Sequence, residues 1–246
     1  MIPLSLPVSL PGVYAPQDDT DLLVHALKHE PLAPRARVLD VGTGTGAVAL
    51  VAARRGARVT AVDISWRAVL NAKVNAVLAG LPMTVVQGNL LGPVSGRSFD
   101  LILSNPPYVP GPEPEPERGP GPGRGPGRGA GSEGVTPVRG DARAWDGGRD
   151  GRLVLDRICR DSPSLLRPGG VLLLVQSAFS DAERTLAQLR AAGLRAEVVD
   201  HRRVAFGPVL RSRSAWLRER GLLGDAHGGD GDEKEELVVI RAERPR

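Results

Sequence analysis

The sequence predicts an α/β fold whose mostly parallel sheet is covered by helices on both faces. Short β-forming runs alternate with helical runs along the 246 residues, as they do in proteins with parallel sheets. The β-forming runs are largely apolar throughout, as expected where both faces of a sheet are buried. A glycine-rich loop joins the first strand to the next helix. The length fits one domain, so residues 1–246 are expected to form a single unit.

The elements can be assigned in order along the chain. A helix over residues 18–29 is amphipathic and has acids and Thr20 at its start, where free N–H groups need acceptors. Further helices are expected at 47–55, 66–80, 150–166 and 181–193, with a short basic helix at 212–221. Seven strands are expected at 36–41, 58–63, 83–88, 98–105, 169–177, 195–201 and 235–243.

Two segments do not fit a packed domain. Residues 111–140 are a low-complexity run of Gly, Pro, Arg and Glu. Such a run buries too little apolar surface to offset the entropy of ordering, so we expect a disordered insert within the domain. A basic Gly/Arg tract can also contact RNA, which is the alternative for this segment. Residues 222–235 form a second polar stretch and are expected to be a loop.

Composition excludes few functions. The formal net charge is +4 and the pI is about 9.8, which is compatible with a nucleic-acid partner without requiring one. Cys159 is the single cysteine, so no disulfide framework is expected and a reducing, cytoplasmic location is favoured. No apolar run is long enough to cross a membrane. The first twelve residues are broken by prolines and lack a basic start, so we expect no signal peptide.

The glycine loop is the first candidate for ligand binding. Gly42, Gly44 and Gly46 stand between the first strand and the second helix, where small residues let the backbone turn sharply and approach a ligand. Their spacing also satisfies a loose dinucleotide-binding fingerprint. The loop alone is a weak signal, because a tight strand–helix turn would need the same residues.

Two acids beside the loop sharpen the prediction. Asp63 ends the second strand, where a carboxylate can accept hydrogen bonds from both hydroxyls of a ribose. Asp40 stands just before the first glycine and would repel a pyrophosphate there, but it suits a cationic ligand. S-adenosylmethionine carries an ammonium, a sulfonium and a ribose, so we favour it over NAD. Asn89 and Leu90 end the third strand and could hold its adenine, although an ordinary Asn turn explains them equally well.

A stiff polar segment ends the fourth strand. The Asn105 side-chain oxygen and the Pro106 carbonyl are two uncharged acceptors, and the adjacent rings of Pro106 and Pro107 restrict the backbone. Two neighbouring acceptors match the two hydrogens of a planar NH₂ group, and Tyr108 offers a flat face to pack against it. The target can be a glutamine amide or an adenine. The alternative is a strand ended by prolines beside an incidental Asn.

Four motifs in this order resemble the class I methyltransferases of the HemK/PrmC family. They are LDVGTGTG, AVDIS, GNLL and SNPPYV, at residues 39–46, 61–65, 88–91 and 104–109. Residues 14–23 and 144–158 resemble further elements of that family. The resemblance implies a Rossmann-like fold with a mostly parallel seven-stranded sheet and an antiparallel last strand. It also implies methyl transfer from S-adenosylmethionine to the glutamine side-chain nitrogen in the Gly-Gly-Gln motif of a peptide chain release factor.

The resemblance assigns roles to individual residues. The cofactor would be contacted by Thr20, Asp40, Gly42, Gly44, Gly46, Asp63, Asn89, Leu90 and Asn105. The substrate amide would be held by Asn105, Pro106, Pro107 and Tyr108, of which Asn105, Pro106 and Tyr108 are the candidate catalytic groups. There are three departures: Asn89 replaces an acid common in the family, the 111–140 insert flanks the substrate cleft, and the last sixty-odd residues match the family less clearly.

The resemblance also implies partners. Few residues precede the first strand, so the chain resembles the short archaeal and eukaryotic branch, which lacks the N-terminal helical domain. In that branch a small zinc-binding activator adds to the sheet edge by the third strand, here residues 83–87. The alternative is an edge strand covered by loops of its own chain.

Three rival functions remain open at this stage. An adenine-N6 nucleic-acid methyltransferase would use the same two acceptors, and the basic pI and the Gly/Arg tract favour it. No target-recognition domain is evident, which counts against it. A lysine methyltransferase would need a base that the sequence does not identify. The third rival is a binding protein that keeps the fold without turnover.

Metal binding is not expected. His25 and His29 are spaced four residues apart on a helix, but no third ligand accompanies them, so a surface or packing role is favoured. Cys159 lies in an apolar helical run and is expected in the core.

Overall fold

The computed structural model describes residues 7–112, 147–223 and 234–246. Within them lie the helices α1 (Asp18–His29), α2 (Ala47–Arg54), α3 (Trp66–Ala79), α4 (Leu155–Leu165), α5 (Ala182–Ala191) and α6 (Pro208–Glu219). The strands are β1 (Arg37–Val41), β2 (Arg58–Asp63), β3 (Met83–Gln87), β4 (Phe99–Ser104), β5 (Leu166–Ser177), β6 (Arg195–Ala205) and β7 (Lys234–Glu243).

The strands form one seven-stranded sheet in the order β3-β2-β1-β4-β5-β7-β6. The pairs β1–β2, β2–β3, β1–β4 and β4–β5 are parallel. The last strand, β7, is antiparallel to both of its neighbours, β5 and β6. The predicted fold class is therefore confirmed, including the antiparallel last strand.

The position of the site follows from the strand order. From β1 the chain moves outward to β2 and β3, and it then returns to β4 and moves outward on the other side. Because such crossovers are right-handed, the helices of the two halves cover opposite faces. The carboxyl ends of β1 and β4 lie side by side, with Val41 opposite Ser104. In sheets of this kind, ligands bind at this reversal of strand order.

The core lies on both sides of the central strands. Leu39, Ile102 and Leu172 have no exposed surface, and their strands β1, β4 and β5 form the middle of the sheet. Burying each such side chain contributes about 1.5–3 kcal/mol. Cys159 is buried in the same cluster, as the sequence predicts. The described helices include none with the length and hydropathy needed to cross a bilayer.

Element boundaries differ from the predictions at a few points. α4 begins at Leu155 rather than 150, because Gly148 and Gly151 both adopt positive φ and hold the chain in turns before it. α6 begins four residues earlier than predicted, at Pro208, a residue well suited to the first helical turn. Most of the predicted 111–140 insert and most of the predicted 222–235 loop lie outside the described residues, so they stay predictions, whereas residues 234 and 235 already belong to β7.

Candidate active site

A cavity of about 500 Å³ opens at the carboxyl ends of β1 and β4. Its volume is in the range of small-molecule sites, roughly 300–1,000 Å³. The glycine loop, the end of β2, the start of α1 and the NPPY segment (residues 105–108) all line it. The predicted residues that line it are Thr20, Asp40, Gly42, Gly44, Asp63, Asn89, Leu90, Asn105, Pro106, Pro107 and Tyr108.

The glycine loop supplies one wall of the cavity. Gly42, Gly44 and Gly46 all adopt positive φ, which only glycine tolerates without strain. Gly46 does not line the cavity. A Cβ at Gly46 would meet Ala72 of α3 at 3.2 Å, so this glycine allows α2 and α3 to pack closely. The structure thus brings two of the three predicted glycines to the cavity and places the third behind them.

Asp40 and Asp63 are buried carboxylates on this wall. The Thr43 hydroxyl donates to Asp40 Oδ2 over 2.6 Å. Burial, opposed by the Thr43 hydrogen bond, raises the pKa of Asp40 to about 6. Asp63 accepts the backbone N–H groups of Gly44 and Ser65, each over 2.9 Å. Burial raises the pKa of Asp63 against these hydrogen bonds.

These two acids fit a cationic ligand. No Arg, Lys or His forms a salt bridge with either carboxylate among the described residues, so neither charge is neutralised by a side-chain ion pair there. An ammonium next to Asp40 would return its pKa toward the ordinary range. Leu90 follows β3 with φ of 50°, an uncommon conformation for a non-glycine residue, and it lines the cavity next to the exposed Asn89.

The Asn105 amide is oriented by hydrogen bonds from α1. Asn105 Nδ2 donates to the Thr20 hydroxyl oxygen over 3.3 Å. That hydroxyl donates in turn to Asp19 Oδ1 over 3.2 Å. Because the amide nitrogen is engaged by Thr20, Asn105 presents its Oδ1 as the acceptor toward a ligand. The half-buried Asn105 is followed by the buried Pro106.

Asp19 is the centre of this network. It is 4% exposed, and its Oδ2 accepts the hydroxyls of Tyr14 and Tyr108, each over 3.0 Å. Its Oδ1 also accepts the Thr20 N–H over 2.6 Å. Burial first, and then the charge of Asp19, raise the pKa of Tyr108 well above its usual value, so this phenol remains protonated. The NPPY segment is therefore tied to the first turn of α1.

A second network supports the NPPY segment from the opposite side. The Ser180 hydroxyl donates to the Tyr108 carbonyl, and Gly151 lies so close to that carbonyl that a Cβ would clash at 2.1 Å. Arg152 is 2% exposed and donates to the Ser180 carbonyl, to Asp181 O over 2.8 Å and to the Thr185 hydroxyl over 3.0 Å. Arg152 therefore holds the turn that follows β5, and Ser180 of that turn holds the backbone of the NPPY segment.

The two ends of the segment between the NPPY motif and α4 are held together. The Gly111 N–H donates to the Gly148 carbonyl over 3.0 Å. Arg213 of α6 donates to the Val109 carbonyl over 2.6 Å. The chain therefore leaves the site and returns to it at nearly the same point.

Glu235, at the start of β7, also lines the cavity. It is 6% exposed, and burial raises its pKa to about 7. Sequence reasoning missed Asp19 as the centre of the network, along with Tyr14, Arg152 and Glu235. An acid at the second residue of α1 is typical of any helix start, and Glu235 stands among other charged residues, so local pattern gave no sign of either.

Comparisons with known proteins agree with this geometry. Residues 7–117 match the family model described as the methyltransferase small domain. A Methanocaldococcus jannaschii protein, named as a candidate protein N5-glutamine methyltransferase, is 33% identical over 201 residues, which cover 81% of this chain and 90% of that protein. The chain belongs to the HemK/PrmC family of protein N5-glutamine methyltransferases. The family resemblance found in the sequence is thus confirmed.

Bacterial members of the HemK/PrmC family are longer. The Deinococcus radiodurans release factor glutamine methyltransferase is 38% identical over 209 residues, which cover 83% of this chain and 66% of that enzyme. The Geobacter sulfurreducens enzyme of the same name is 34% identical over 192 residues and is covered to 60% of its length. The chain therefore spans about two thirds or less of these relatives.

Solved structures share the fold. One of them is the E. cuniculi Mtq2–Trm112 complex, described as responsible for methylation of the eRF1 termination factor. A chain of that complex matches with a TM-score of 0.60 and 23% identity, and the match covers 95% of this chain and 99% of that chain. The T. thermophilus 16S rRNA N2 G1207 methyltransferase, solved with AdoMet and guanosine, gives a TM-score of 0.55 and 22% identity over 96% of this chain and 46% of that one. The class I methyltransferase fold is thereby confirmed.

Proposed function

We propose that the chain transfers a methyl group from S-adenosylmethionine to the side-chain nitrogen of a glutamine in the Gly-Gly-Gln loop of a peptide chain release factor. One observation carries this proposal. The Asn105 amide nitrogen is held by the Thr20 hydroxyl, which is hydrogen-bonded to Asp19, and Asn105 and Pro106 line the same cavity as Asp40 and Asp63. The family relatives named above support glutamine as the acceptor.

The cofactor side is suited to S-adenosylmethionine. Asp40 would hold the ammonium, and Asp63 would accept the ribose hydroxyls. Asn89 and Leu90 would contact the adenine from the end of β3. When bound, the cofactor supplies an electrophilic methyl on its sulfonium. The role of Gly46 would be indirect, since it packs α2 on α3 behind the loop.

The acceptor side orients a nitrogen that is a poor nucleophile. The amide lone pair is delocalised, so the site must hold both N–H bonds and direct the lone pair at the methyl. Asn105 Oδ1 and the Pro106 carbonyl would accept these two hydrogens, while the ring of Tyr108 packs beside the amide plane. Orientation of this kind supplies up to roughly 7–11 kcal/mol in favourable model systems.

Labelling tests this assignment. The purified protein is incubated with methyl-labelled S-adenosylmethionine and, separately, with release factor, DNA, RNA and a basic protein mixture. We expect label on the release factor, and none on the variant whose Gly-Gly-Gln glutamine is replaced by Ala. Label confined to nucleic acid would establish the adenine alternative, and label on lysine would establish the amine alternative. A release factor that is labelled despite the Gln→Ala change would contradict the glutamine assignment.

A small protein partner at the β3 edge is the second part of the proposal. β3 ends the sheet, which confirms its predicted edge position. The adjoining α3 exposes an apolar stripe at helical spacing, formed by Trp66, Leu70, Val74, Val77 and Leu78. Apolar side chains grouped beside an unpaired strand edge are typical of an interface. The E. cuniculi complex gives a precedent for a small partner. We propose that the partner of this chain also binds zinc.

Substitution on the stripe tests the partner. Val77, which is 80% exposed, is replaced by Asp, and the protein is mixed with a Trm112-like protein. We expect the wild type and the control Val199→Asp, on the opposite edge strand β6, to elute with it as a complex, and Val77→Asp to elute alone. Equal behaviour of all three proteins contradicts the placement. A concentration-dependent dimer of the chain alone, lost only in Val77→Asp, would show that a second copy covers the stripe. Because translation factors are cytoplasmic, we place the protein there.

A further inference from the structure

Glu235 is the buried acid to which the proposed chemistry gives no role. It lines the cavity, and its Oε2 has no hydrogen-bond partner among the described residues. Its charge also contributes to the raised pKa values of Tyr14 and Tyr108, so it lies on the acceptor side of the cavity. A buried carboxyl oxygen left without a partner is costly and calls for an explanation, of which a catalytic role is one.

The surroundings of Glu235 raise the pKa of its carboxyl group. Burial, and to a lesser extent Asp19 and Asp18 on α1, raise its pKa to about 7 against hydrogen bonds from the Ser177 side chain and the Gly207 backbone. The carboxyl is thus half ionised near neutral pH. A group of this acidity can both take up a proton during a reaction and lose it afterwards.

The other groups on the acceptor side are poorly suited to take up a proton. The oxygens of Asn105 and Pro106 are neutral amide oxygens. The Tyr14 and Tyr108 hydroxyls already donate to Asp19. Both oxygens of Asp19 accept hydrogen bonds.

The remaining acids lie elsewhere in the cavity. Asp40 and Asp63 belong to the cofactor wall and are hydrogen-bonded there. Asp18 lines the cavity but is exposed to solvent at the start of α1. Arg157 is a cation on the same lining and would favour the ionised form of a nearby carboxyl. Within the part of the chain that the structure describes, Glu235 is the buried acid on the acceptor side with an oxygen that accepts no hydrogen bond.

We propose that the Glu235 carboxylate accepts the proton that the acceptor nitrogen loses on methylation. One N–C bond forms and one S–C bond breaks, with its electron pair remaining on sulfur as a neutral thioether. The N–H electron pair returns to nitrogen, and the proton passes to Glu235 and later to water. The inference rests on the proposed transfer to nitrogen, whether that nitrogen belongs to glutamine, adenine or lysine.

Single-turnover kinetics test the role of Glu235. Wild type and Glu235→Gln are saturated with methyl-labelled S-adenosylmethionine, and transfer is followed from pH 5 to 9 on whichever acceptor the wild type labels. Gln keeps the size and the acceptor oxygen but cannot take up the proton. We expect the wild-type rate to rise with pH to a plateau at or below about pH 7, because the carboxylate is the active form. The Gln variant should be at least tenfold slower on the plateau and should lack this dependence.

Matched variants separate this role from alternatives. Glu236→Gln changes the next residue of β7, an exposed acid that pairs with His201 over 3.3 Å, and it should behave as wild type. Glu235→Asp should keep the pH dependence at a reduced rate. A wild-type rate and pH profile in Glu235→Gln would overturn the proposal. Loss of the pH dependence in Asp18→Asn, with Glu235→Gln unaffected, would assign the role to Asp18 instead.

A readout without turnover completes the test. In ¹³C-glutamate-labelled protein, infrared difference spectra should show a carboxyl that titrates near pH 7 and that disappears in Glu235→Gln but not in Glu236→Gln. Absence of that band from the wild type would overturn the proposal. The acceptor that the wild type labels decides the proposed function separately, since the variants are compared on that acceptor in either case.

Discussion

The cavity has a cofactor wall, which includes the glycine loop, Asp40 and Asp63, and an acceptor wall, which includes Asn105 and Tyr108. The hydrogen bonds that hold these two walls differ in how far apart their partners lie along the chain. On the cofactor wall, Asp40 is held by Thr43, three residues away, and Asp63 by Gly44 and Ser65, within nineteen residues. On the acceptor wall, hydrogen-bonded partners are separated by 85 residues for Asn105 and Thr20 and by 89 for Tyr108 and Asp19.

This difference has a functional consequence. The cofactor wall is built from neighbouring strand ends and the glycine loop, and the hydrogen bonds that hold its two acids are short in range along the chain. The acceptor wall exists only when α1, the end of β4, the end of β5 and β7 are all in place. Changes to the distant supports should therefore impair transfer more than cofactor binding, and the following predictions test that separation.

The largest effect is expected from Arg152→Met. The substitution removes a buried guanidinium that donates to the Ser180 and Asp181 carbonyls and pairs with the Asp156 carboxylate, and each hydrogen bond from a charged group contributes about 1.5–3 kcal/mol. Urea denaturation should show this loss, while Arg160→Met, at an exposed pair in α4, should change stability by less than about 0.5 kcal/mol. Below the unfolding transition, transfer should fall further than cofactor affinity. Equal losses would contradict the separation of the walls.

Asn105→Ala should reduce the rate of methyl transfer much more than it reduces cofactor affinity. It removes one of the two acceptors for the NH₂ group, and loss of one preorganised polar group of this kind costs about 10²–10³ in rate. Calorimetry should show S-adenosylmethionine affinity reduced by less than about tenfold. Asn89→Ala, at the end of β3, is the converse variant: it should weaken cofactor binding but retain transfer at saturation. If Asn105→Ala lost both activities alike, Asn105 would mainly hold the cofactor.

Asp40 should make cofactor binding depend on pH. Burial raises its pKa from 3.8 to about 6, so the ligand-free protein binds a proton there that the unfolded chain has released. The unpaired charge therefore lowers stability as pH rises from about 4 to 6, by up to about 3 kcal/mol at 1.36 kcal/mol per pKa unit. Ligand-free Asp40→Asn should be more stable than wild type at pH 7 and equal to it near pH 4.

Cofactor binding should follow the opposite trend. A cationic ligand binds the carboxylate, so the wild-type dissociation constant should increase about tenfold per pH unit below about pH 6. Asp40→Asn should bind weakly at every pH and without this slope. Titrations from pH 5 to 8 measure both quantities. An unchanged affinity in the Asn variant would refute an electrostatic role for Asp40.

The smallest effect is expected from glycine substitution within the loop. Gly44 and Gly46 both have positive φ, so Ala at either position should cost about 1–2 kcal/mol of stability. Only Gly44 lines the cavity, so Gly44→Ala should weaken cofactor binding more than Gly46→Ala does. Parallel melting curves and calorimetry compare the two variants. A similar loss of affinity in both variants would indicate that Gly46 contacts the cofactor, as the sequence predicts.

The range of the contacts also explains what the sequence can predict. The succession of helices and strands, the glycine loop, Asp40 and Asp63 follow from local pattern, because each acts next to its neighbours in sequence. The NPPY motif is recognisable because its residue types are unusual at a strand end. Asp19 and Glu235 carry no such mark. Their importance arises only when the sheet brings α1 and β7 beside the end of β4, which requires the tertiary structure.

The hydrogen bond between the Gly111 N–H and the Gly148 carbonyl has a practical consequence. Since the chain is closed at that point, the residues between can lengthen or shorten without moving the ends that bear on the site. Each doubling of such a connection costs only about 0.6 kcal/mol in closure entropy. The connection between Gly111 and Gly148 is therefore a suitable site for domain insertion. A fluorescent reporter domain inserted there would lie close to the acceptor side of the cavity, so its signal should change when the acceptor binds, and the cofactor wall would be left unchanged.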